Sequence, residues 1–265
     1  MDTKDNKFGF YNAKFATACC VALLAYMPAN KLYANDLTIQ LASTDWCPYT
    51  CANDISNRGI VHDYVEYIFS QKDIALKVSS FPWARAIRQV EGGKLDGLLT
   101  AVPAKGRNLI YTEIPIMSYQ MCFFGAQDSQ WQYKNQDSLR DVRLGVIAEY
   151  SYGEPVDTFV KNKHKTGNVI ELNTRLAIQQ LISLVAAGRI DVLIEDKNVM
   201  DWHLKNTHHS LLDQFKNLGC LQESPFYLAM SPKINWSYEV IDFLNRAFES
   251  EDNQQLLYDD IVGRY

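Results

Sequence analysis

From residue 37 onward the apolar and polar positions change period several times. Leu37-Thr38-Ile39-Gln40-Leu41 alternates with a period of two, which predicts a strand with one buried face. A polar loop from Ser43 to Asn57 follows. Ile60, Val61, Tyr64, Val65 and Ile68 then share one helical face, and Leu76-Lys77-Val78 reads as a second strand. Trp83, Ala86, Ile87 and Val90 recur with helical spacing, with Pro82 where a helix start accepts proline and Gly92-Gly93 at its stop. The second half repeats the scheme. Val142 to Ile147 predicts a strand, Ala148 to Gly153 a loop, Pro155 to Lys161 a helix, and Val169 to Leu172 a strand; Leu176, Ile178, Leu181, Ile182, Leu184 and Val185 then lead to Gly188. An internal echo ties the halves together: Gly93-Lys94-Leu95-Asp96-Gly97-Leu98-Leu99 matches Gly188-Arg189-Ile190-Asp191-Val192-Leu193-Ile194. Both halves read strand, loop, helix, strand, helix, glycine turn, strand, so the expected fold class is α/β in two similar lobes.

Composition narrows the function classes. The chain has 265 residues, 47% of them apolar and 22% charged, which excludes a disordered or fibrous chain. A net charge of −5 with no basic stripe makes nucleic acid a poor partner, because phosphate binding needs clustered Lys and Arg. No uninterrupted apolar run reaches the ~18 residues of a membrane span. Lys4, Lys7 and Lys14 precede the apolar run Phe15 to Met27, Pro28 breaks it, and Leu32-Tyr33-Ala34 offers a small residue at a cleavage point. This predicts a secretory signal peptide over residues 1–34, the competing reading being a core helix. Its removal leaves Cys47, Cys51, Cys122 and Cys220, an even number for an oxidising compartment. Of the three possible pairings, Cys47 with Cys51 and Cys122 with Cys220 is favoured. A four-thiolate zinc site would show tighter paired spacings, so no metal is expected.

Ligands of open α/β sheets bind beyond the carboxyl ends of the strands. Four loops qualify. The first half supplies Asp45, Trp46 and Tyr49, then Thr100 to Arg107; the second supplies Glu149 to Gly153, then Glu195 and Asp196. Facing one another, they would line a cleft with aromatic rings, one guanidinium, carboxylates and the hydroxyls of Thr100 and Ser151. That set suits a small zwitterion: an Arg fork grips a carboxylate, a carboxylate holds an ammonium, and rings cover the remainder. Each residue also has a structural reading. Trp46 and Tyr49 could pack a loop, Arg107 could be a solvated charge, and Asp196 could cap a helix starting near Lys197. Trp83 could fill core or, with Arg85, form a lid. Asp96 and Asp191 read as turn-fixing residues. His203, His208 and His209 fall at a polar helix end, where solvation is expected, and His62 sits on the polar side of its helix. No hydrolase, zinc-protease or phosphate-loop motif is present, so no catalytic residue is assigned.

Taken in order, these segments resemble the bacterial periplasmic solute-binding proteins of the polar amino-acid type (family 3). Trp46-Cys47-Pro48-Tyr49 looks like the aromatic loop after the family's first strand, and Phe81 to Gly97 like its first-lobe helix and strand. Tyr111 to Pro115 is similar to the segment leading into the hinge, Leu139 to Val146 to the start of the second lobe, and Gly188 to Asp196 to the strand whose end holds a ligand ammonium. The resemblance implies a two-lobe, type II periplasmic-binding-protein-like fold, each lobe a mainly parallel sheet flanked by helices, joined by two hinge strands. Residues 36–121 plus 224–265 would form lobe 1 and residues 122–223 lobe 2. Arg107 would hold an α-carboxylate and Asp196 an α-ammonium, with Ser151 or Tyr152 contributing from lobe 2. Two departures stand out. Arg107 lies about one residue later than the family's T/S-x-x-R spacing, and Glu149 stands where a glycine or small residue is common, which would favour a cationic ligand or exclude an amino acid.

The function expected is periplasmic binding of a small polar solute, an amino acid or related amine, by hinge closure, for ABC-type uptake or sensing. The ligand-binding set is Asp45, Trp46, Tyr49, Trp83, Thr100, Arg107, Glu149, Ser151, Tyr152 and Asp196. The protein is expected to be a monomer without cofactor, its partners being the small-molecule ligand and an inner-membrane permease or sensor protein. The alternative is a dehydratase-like enzyme on the same two lobes, with Glu149 or Glu195 as its base.

Overall fold

The computed structural model describes residues 37–51, 57–104, 106–162 and 167–265. The expected signal peptide, residues 1–34, lies outside the described residues. In chain order the first half contains β1 (Thr38–Ser43), α1 (Ile60–Ser70), β2 (Ala75–Ser80), α2 (Trp83–Glu91), β3 (Gly97–Ala101), β4 (Ile110–Tyr111) and β5 (Met117–Tyr119). The second contains β6 (Met121–Ala126), β7 (Leu144–Ile147), α3 (Val156–Lys161), β8 (Val169–Leu172), α4 (Ala177–Ala186), β9 (Val192–Asp196), α5 (Lys197–Asn206) and β10 (Phe215–Cys220). The chain closes with β11 (Ser224–Met230), α6 (Ser237–Glu249) and α7 (Glu251–Gln255).

Two sheets result. The first runs β2-β1-β3-β11-β4, with β5 also paired to β11; the second runs β10-β6-β9-β7-β8. Each is built on a parallel trio, β2-β1-β3 and β8-β7-β9, extended by antiparallel strands. The polypeptide passes from one sheet to the other between β5 and β6 and returns between β10 and β11. These crossings lie side by side, Tyr119 opposite Ser224 and Met117 opposite Phe226. Among the described residues no helix is long and apolar enough to cross a membrane.

The internal echo has a physical cause. In the first sheet Asp96 donates its backbone N–H to the Gln40 carbonyl at 2.8 Å and accepts the Gln40 N–H on its carboxylate at 2.6 Å. In the second, Asp191 makes the same exchange with Arg143, at 3.0 and 2.7 Å, and adds the Arg143 guanidinium. Each aspartate therefore locks the turn before the third strand onto the first strand. That is the turn-fixing role its position suggested, and the two locks align equivalent strands in both sheets. The strand expected from Val142 is shorter, because Gln136–Asp141 forms a 3₁₀ turn capped by the Asn135 side chain and Val142 is its exit.

Helix α1 buries the face that its period predicted and stacks Tyr64 on Phe248 and Phe69 near Phe243 of α6. At its start Gly59 has φ +105°, and a Cβ there would come within 2.4 Å of the Tyr49 carbonyl. Only glycine lets this turn pass so close to the aromatic loop. His62 lies in the same packed layer and is 8% exposed, not on a solvated face: Val61 and Val65 flank it with no exposure at all. Two disulfides, Cys47–Cys51 and Cys122–Cys220, join the four cysteines among the described residues. The second closes a loop with a sequence separation of 98, worth roughly 4–5 kcal/mol in the loop-entropy account.

Two tests follow from the aspartate locks and the long-range disulfide. Asp96→Ala lowers the unfolding free energy by about 1–2 kcal/mol in urea titration, since the Gln40 N–H loses its charged acceptor. Asp191→Ala costs less than about 1 kcal/mol, because the Asp191 and Arg143 side chains are 41% and 47% exposed. Reduction of both disulfides lowers the melting temperature, and Cys122→Ala with Cys220→Ala accounts for most of that loss.

Candidate functional site

A cavity of about 60 Å³ lies between the two sheets, walled by residues from both. Counting ~10–15 Å³ per water, it holds roughly four to six waters. The loop after β1 brings Thr44 and Trp46, α2 brings Trp83 and Ile87, and β3 with the segment after it brings Leu98, Thr100, Val102 and Arg107. From the other sheet the loop after β7 contributes Glu149, Tyr150 and Ser151. Tyr119, Met121 and Phe226, on or beside the crossing strands, close the floor. The walls are mostly aromatic and aliphatic. Among the described residues, Arg107 and Glu149 are the only wall residues that carry charge.

Polar contacts link the two halves around the cavity. The Trp46 indole N–H donates to Glu195 Oε1 at 3.0 Å, and Asn198 Nδ2 donates to the Tyr49 hydroxyl at 2.8 Å. The Trp83 indole N–H reaches the Glu149 carbonyl at 3.1 Å, and the Arg107 guanidinium lies 2.5 Å from the Glu149 carboxylate. Thr44 and Tyr150 pair through their hydroxyls. Rings seal the base: Trp46 lies 4.5 Å from Tyr49 and 5.3 Å from Phe226, centroid to centroid.

Behind Trp46, Glu195 is fully buried. Its Oε1 accepts from Trp46 and from the Asp196 N–H at 2.8 Å, while Oε2 takes no hydrogen bond. Burial pushes its pKa up to about 8, against the two donors. Asp196 is equally buried: Oδ1 accepts the Asn198 and Val199 N–H groups that open α5, and Oδ2 accepts the Gln120 N–H at 2.8 Å.

The structure brings six of the predicted site residues to the cavity: Trp46, Trp83, Thr100, Arg107, Glu149 and Ser151. It does not bring Asp45, Tyr49, Tyr152 or Asp196 to the wall. Asp45 is buried beside Trp46. Tyr49 lies behind the indole, holding Asn198 and Asp196. Tyr152 turns into its own sheet, where its hydroxyl accepts the Ile147 N–H at 2.6 Å. Asp196 is spent on backbone donors, so of the two readings of this residue the geometry displays the helix cap. Glu195 and Asp196 are also the last residues of β9, paired with Cys122 and Met121, and not loop residues as expected. His203 is a second correction. It is fully buried, with neither ring nitrogen hydrogen-bonded, and burial beside His208 pushes its pKa down to about 4. Val199, Met200, His203 and Leu204 form one inward face of α5, a spacing that the sequence displays. Tyr111, Tyr119, Met121 and Phe226 were missed as wall residues. They come from β4, β5, β6 and β11, where only pairing across the crossings places them together.

No protein-family profile matches this sequence, and no curated protein matches it. Solved structures do. A histidine kinase sensor domain with similarity to periplasmic binding proteins superposes with a TM-score of 0.72 at 13% identity, over 87% of this chain and 97% of that one. An ancestral arginine-binding protein bound to arginine gives 0.70 at 16%, over 86% and 97%. The amino acid ABC transporter substrate-binding protein AbpA from Streptococcus pneumoniae, bound to L-arginine, gives 0.67 at 13%, over 86% and 93%. At these identities the likeness is one of fold. The chain has the two-lobe α/β architecture of periplasmic-binding-protein-like structures.

Glu195 and His203 give stability two limits in pH. Between about 4.5 and about 8 an unfolded Glu195 loses its proton while the folded one keeps it, so stability falls as pH rises through this window. Glu195→Gln flattens that limb in melting curves from pH 5 to 9. His203 acts oppositely: its contribution is complete above about 6.5 and falls as pH drops toward about 4. His203→Leu flattens the acid limb.

Proposed function

We propose that this chain binds a small polar solute, an amino acid or related amine, between its two lobes, by hinge closure and without catalysis. The observation that carries the reading is the interlobe cavity, walled mostly by aromatic and aliphatic side chains from both lobes, with Arg107 and Glu149 as the charged groups on its described wall. Lobe 1, residues 36–121 with 224–265, supplies Arg107 and Thr100 for a carboxylate, with Trp46 and Trp83 covering the body of the ligand. Lobe 2, residues 122–223, supplies Glu149 and Ser151. Arg107 is 22% exposed along its side chain, so a ligand carboxylate gains a bidentate partner shielded from much of the water. Asp196 is not used as the ammonium site, because its oxygens already hold three N–H groups.

The reading places the protein in the periplasm, exported by residues 1–34 and removed from reducing conditions. The two disulfides support that compartment. Ligand closure would be read by an inner-membrane partner, a permease or a sensor. Structural neighbours of both kinds, a transporter substrate-binding protein and a kinase sensor domain, share the fold. The acid–base candidates of the dehydratase reading are poorly placed: Glu149 is engaged by Arg107, and Glu195 is buried behind the Trp46 indole.

Thermal-shift titration against amino acids, polyamines and small organic acids tests the proposal. A true ligand at ~100 times its dissociation constant adds about 2.7 kcal/mol of stability. Arg107→Ala abolishes the shift while leaving the ligand-free melting temperature within a few degrees. No shift with any member of the panel overturns the amino-acid reading.

A further inference from the structure

Among the described residues the cavity wall contains one cation and one anion, and they are bound to each other. Arg107 comes from lobe 1 and Glu149 from the facing loop, 2.5 Å apart across the space a ligand would enter. Arg107 has a weaker second neighbour, Glu91 at 3.8 Å, from its own lobe. Glu149 is held in an unusual way. Its φ is +64°, a left-handed conformation that non-glycine residues seldom adopt. Its carbonyl is fixed by the Trp83 indole at 3.1 Å, also from lobe 1. A strained backbone, pinned from across the cleft so that its carboxylate meets the only wall guanidinium, is a feature the fold alone does not require.

Resting on the binding reading above, we infer that Glu149 is a built-in competitor for Arg107: it occupies the guanidinium when the site is empty, and it selects net-neutral zwitterions with an apolar body. The Glu149 side chain is 53% exposed, so it can swing toward solvent when a ligand carboxylate takes Arg107. Once displaced it is a free anion at the cavity mouth, where it pairs with the ligand's ammonium. A simple carboxylate displaces Glu149 and offers that anion nothing. A dibasic amino acid brings a second cation against walls made of Ile87, Leu98, Val102, Met121 and Phe226, where no further carboxylate among the described residues lines the space. Burying that charge unpaired is costly. Glu195 and Asp196, at the end of β9, are committed to the indole and to backbone N–H groups.

The test uses the folded disulfide-bonded chain and isothermal titration with L-leucine, L-phenylalanine, L-arginine and 4-methylpentanoate, which is leucine's frame without its amine. The wild type binds leucine or phenylalanine more tightly than arginine or 4-methylpentanoate. Glu149→Gln removes the competitor and tightens 4-methylpentanoate by about five- to tenfold, while the zwitterions gain less or weaken. Glu149→Gly, which also relieves the left-handed strain, shows the same reordering and guards against a folding defect in the first variant. Unchanged affinities in both variants overturn the competitor role. Tighter binding of arginine than of leucine and phenylalanine overturns the ligand class and leaves the binding-protein reading standing. Failure of all four compounds with wild type and both variants overturns this inference. The wider panel of the preceding test then decides separately whether the binding reading survives.

Discussion

A carboxyl group taken out of water needs donors, and those of Glu195 come from opposite sides of the molecule. One is the backbone of its own strand and the other is the indole of Trp46, on the loop after β1. The bond to Oε1 fixes the indole, and the indole fixes much else. Its face lies against Tyr49 and Phe226, its edge near Tyr119, and the latter two sit on the crossing strands. The end of β9, the aromatic loop and the crossings thus form one packed unit in which a polar bond is shielded by rings, the setting in which a hydrogen bond is hardest to give up. The cavity exists because this unit holds the two lobes together at its floor.

Much of this was legible along the chain. The two periods, of two and of about 3.6, placed β1, α1, α2, β8 and α4 within a residue or two, because each buries one face against a sheet and its side chains must repeat at the element's own pitch. The Gly-x-x-Asp echo was legible for a firmer reason: the same carboxylate-to-backbone lock is made twice, so the same residues are needed twice. Arg107 and Glu149 stood out because charges on loops at strand ends are seldom needed for packing. What stayed hidden was direction. Tyr152 is one residue from Ser151, yet it points into its own core while Ser151 lines the cavity. Asp196 satisfied the requirements of a ligand residue and of a helix cap equally well on paper; three N–H groups within reach decide the geometry. His62 is covered by neighbours that no local pattern announces, whereas the burial of His203 followed from a helical stripe that its polar flanks disguised.

The lobes are held together by contacts of the protein's own, and this sets the terms for any guest. A ligand shifts a closing equilibrium only by what it gains in the closed form beyond the open one. Bonds such as Trp46 to Glu195 favour closure with or without a guest, so they contribute to the resting balance and not to selectivity. Discrimination is left to the few groups whose partners can be exchanged, and around this cavity those are the guanidinium, the carboxylate facing it and the hydroxyls of Thr100 and Ser151.

The Cys122–Cys220 bond joins the first strand after one crossing to the last strand before the other. The two connectors therefore cannot drift apart at the second lobe, and they behave as a single flat strap instead of two independent cords. A strap of that kind bends readily about one axis and resists twisting and shear. In the proposed binding role, admission of a guest would then be a swing about a covalently defined line, its amplitude set by how far the loops at the rim travel when that line flexes.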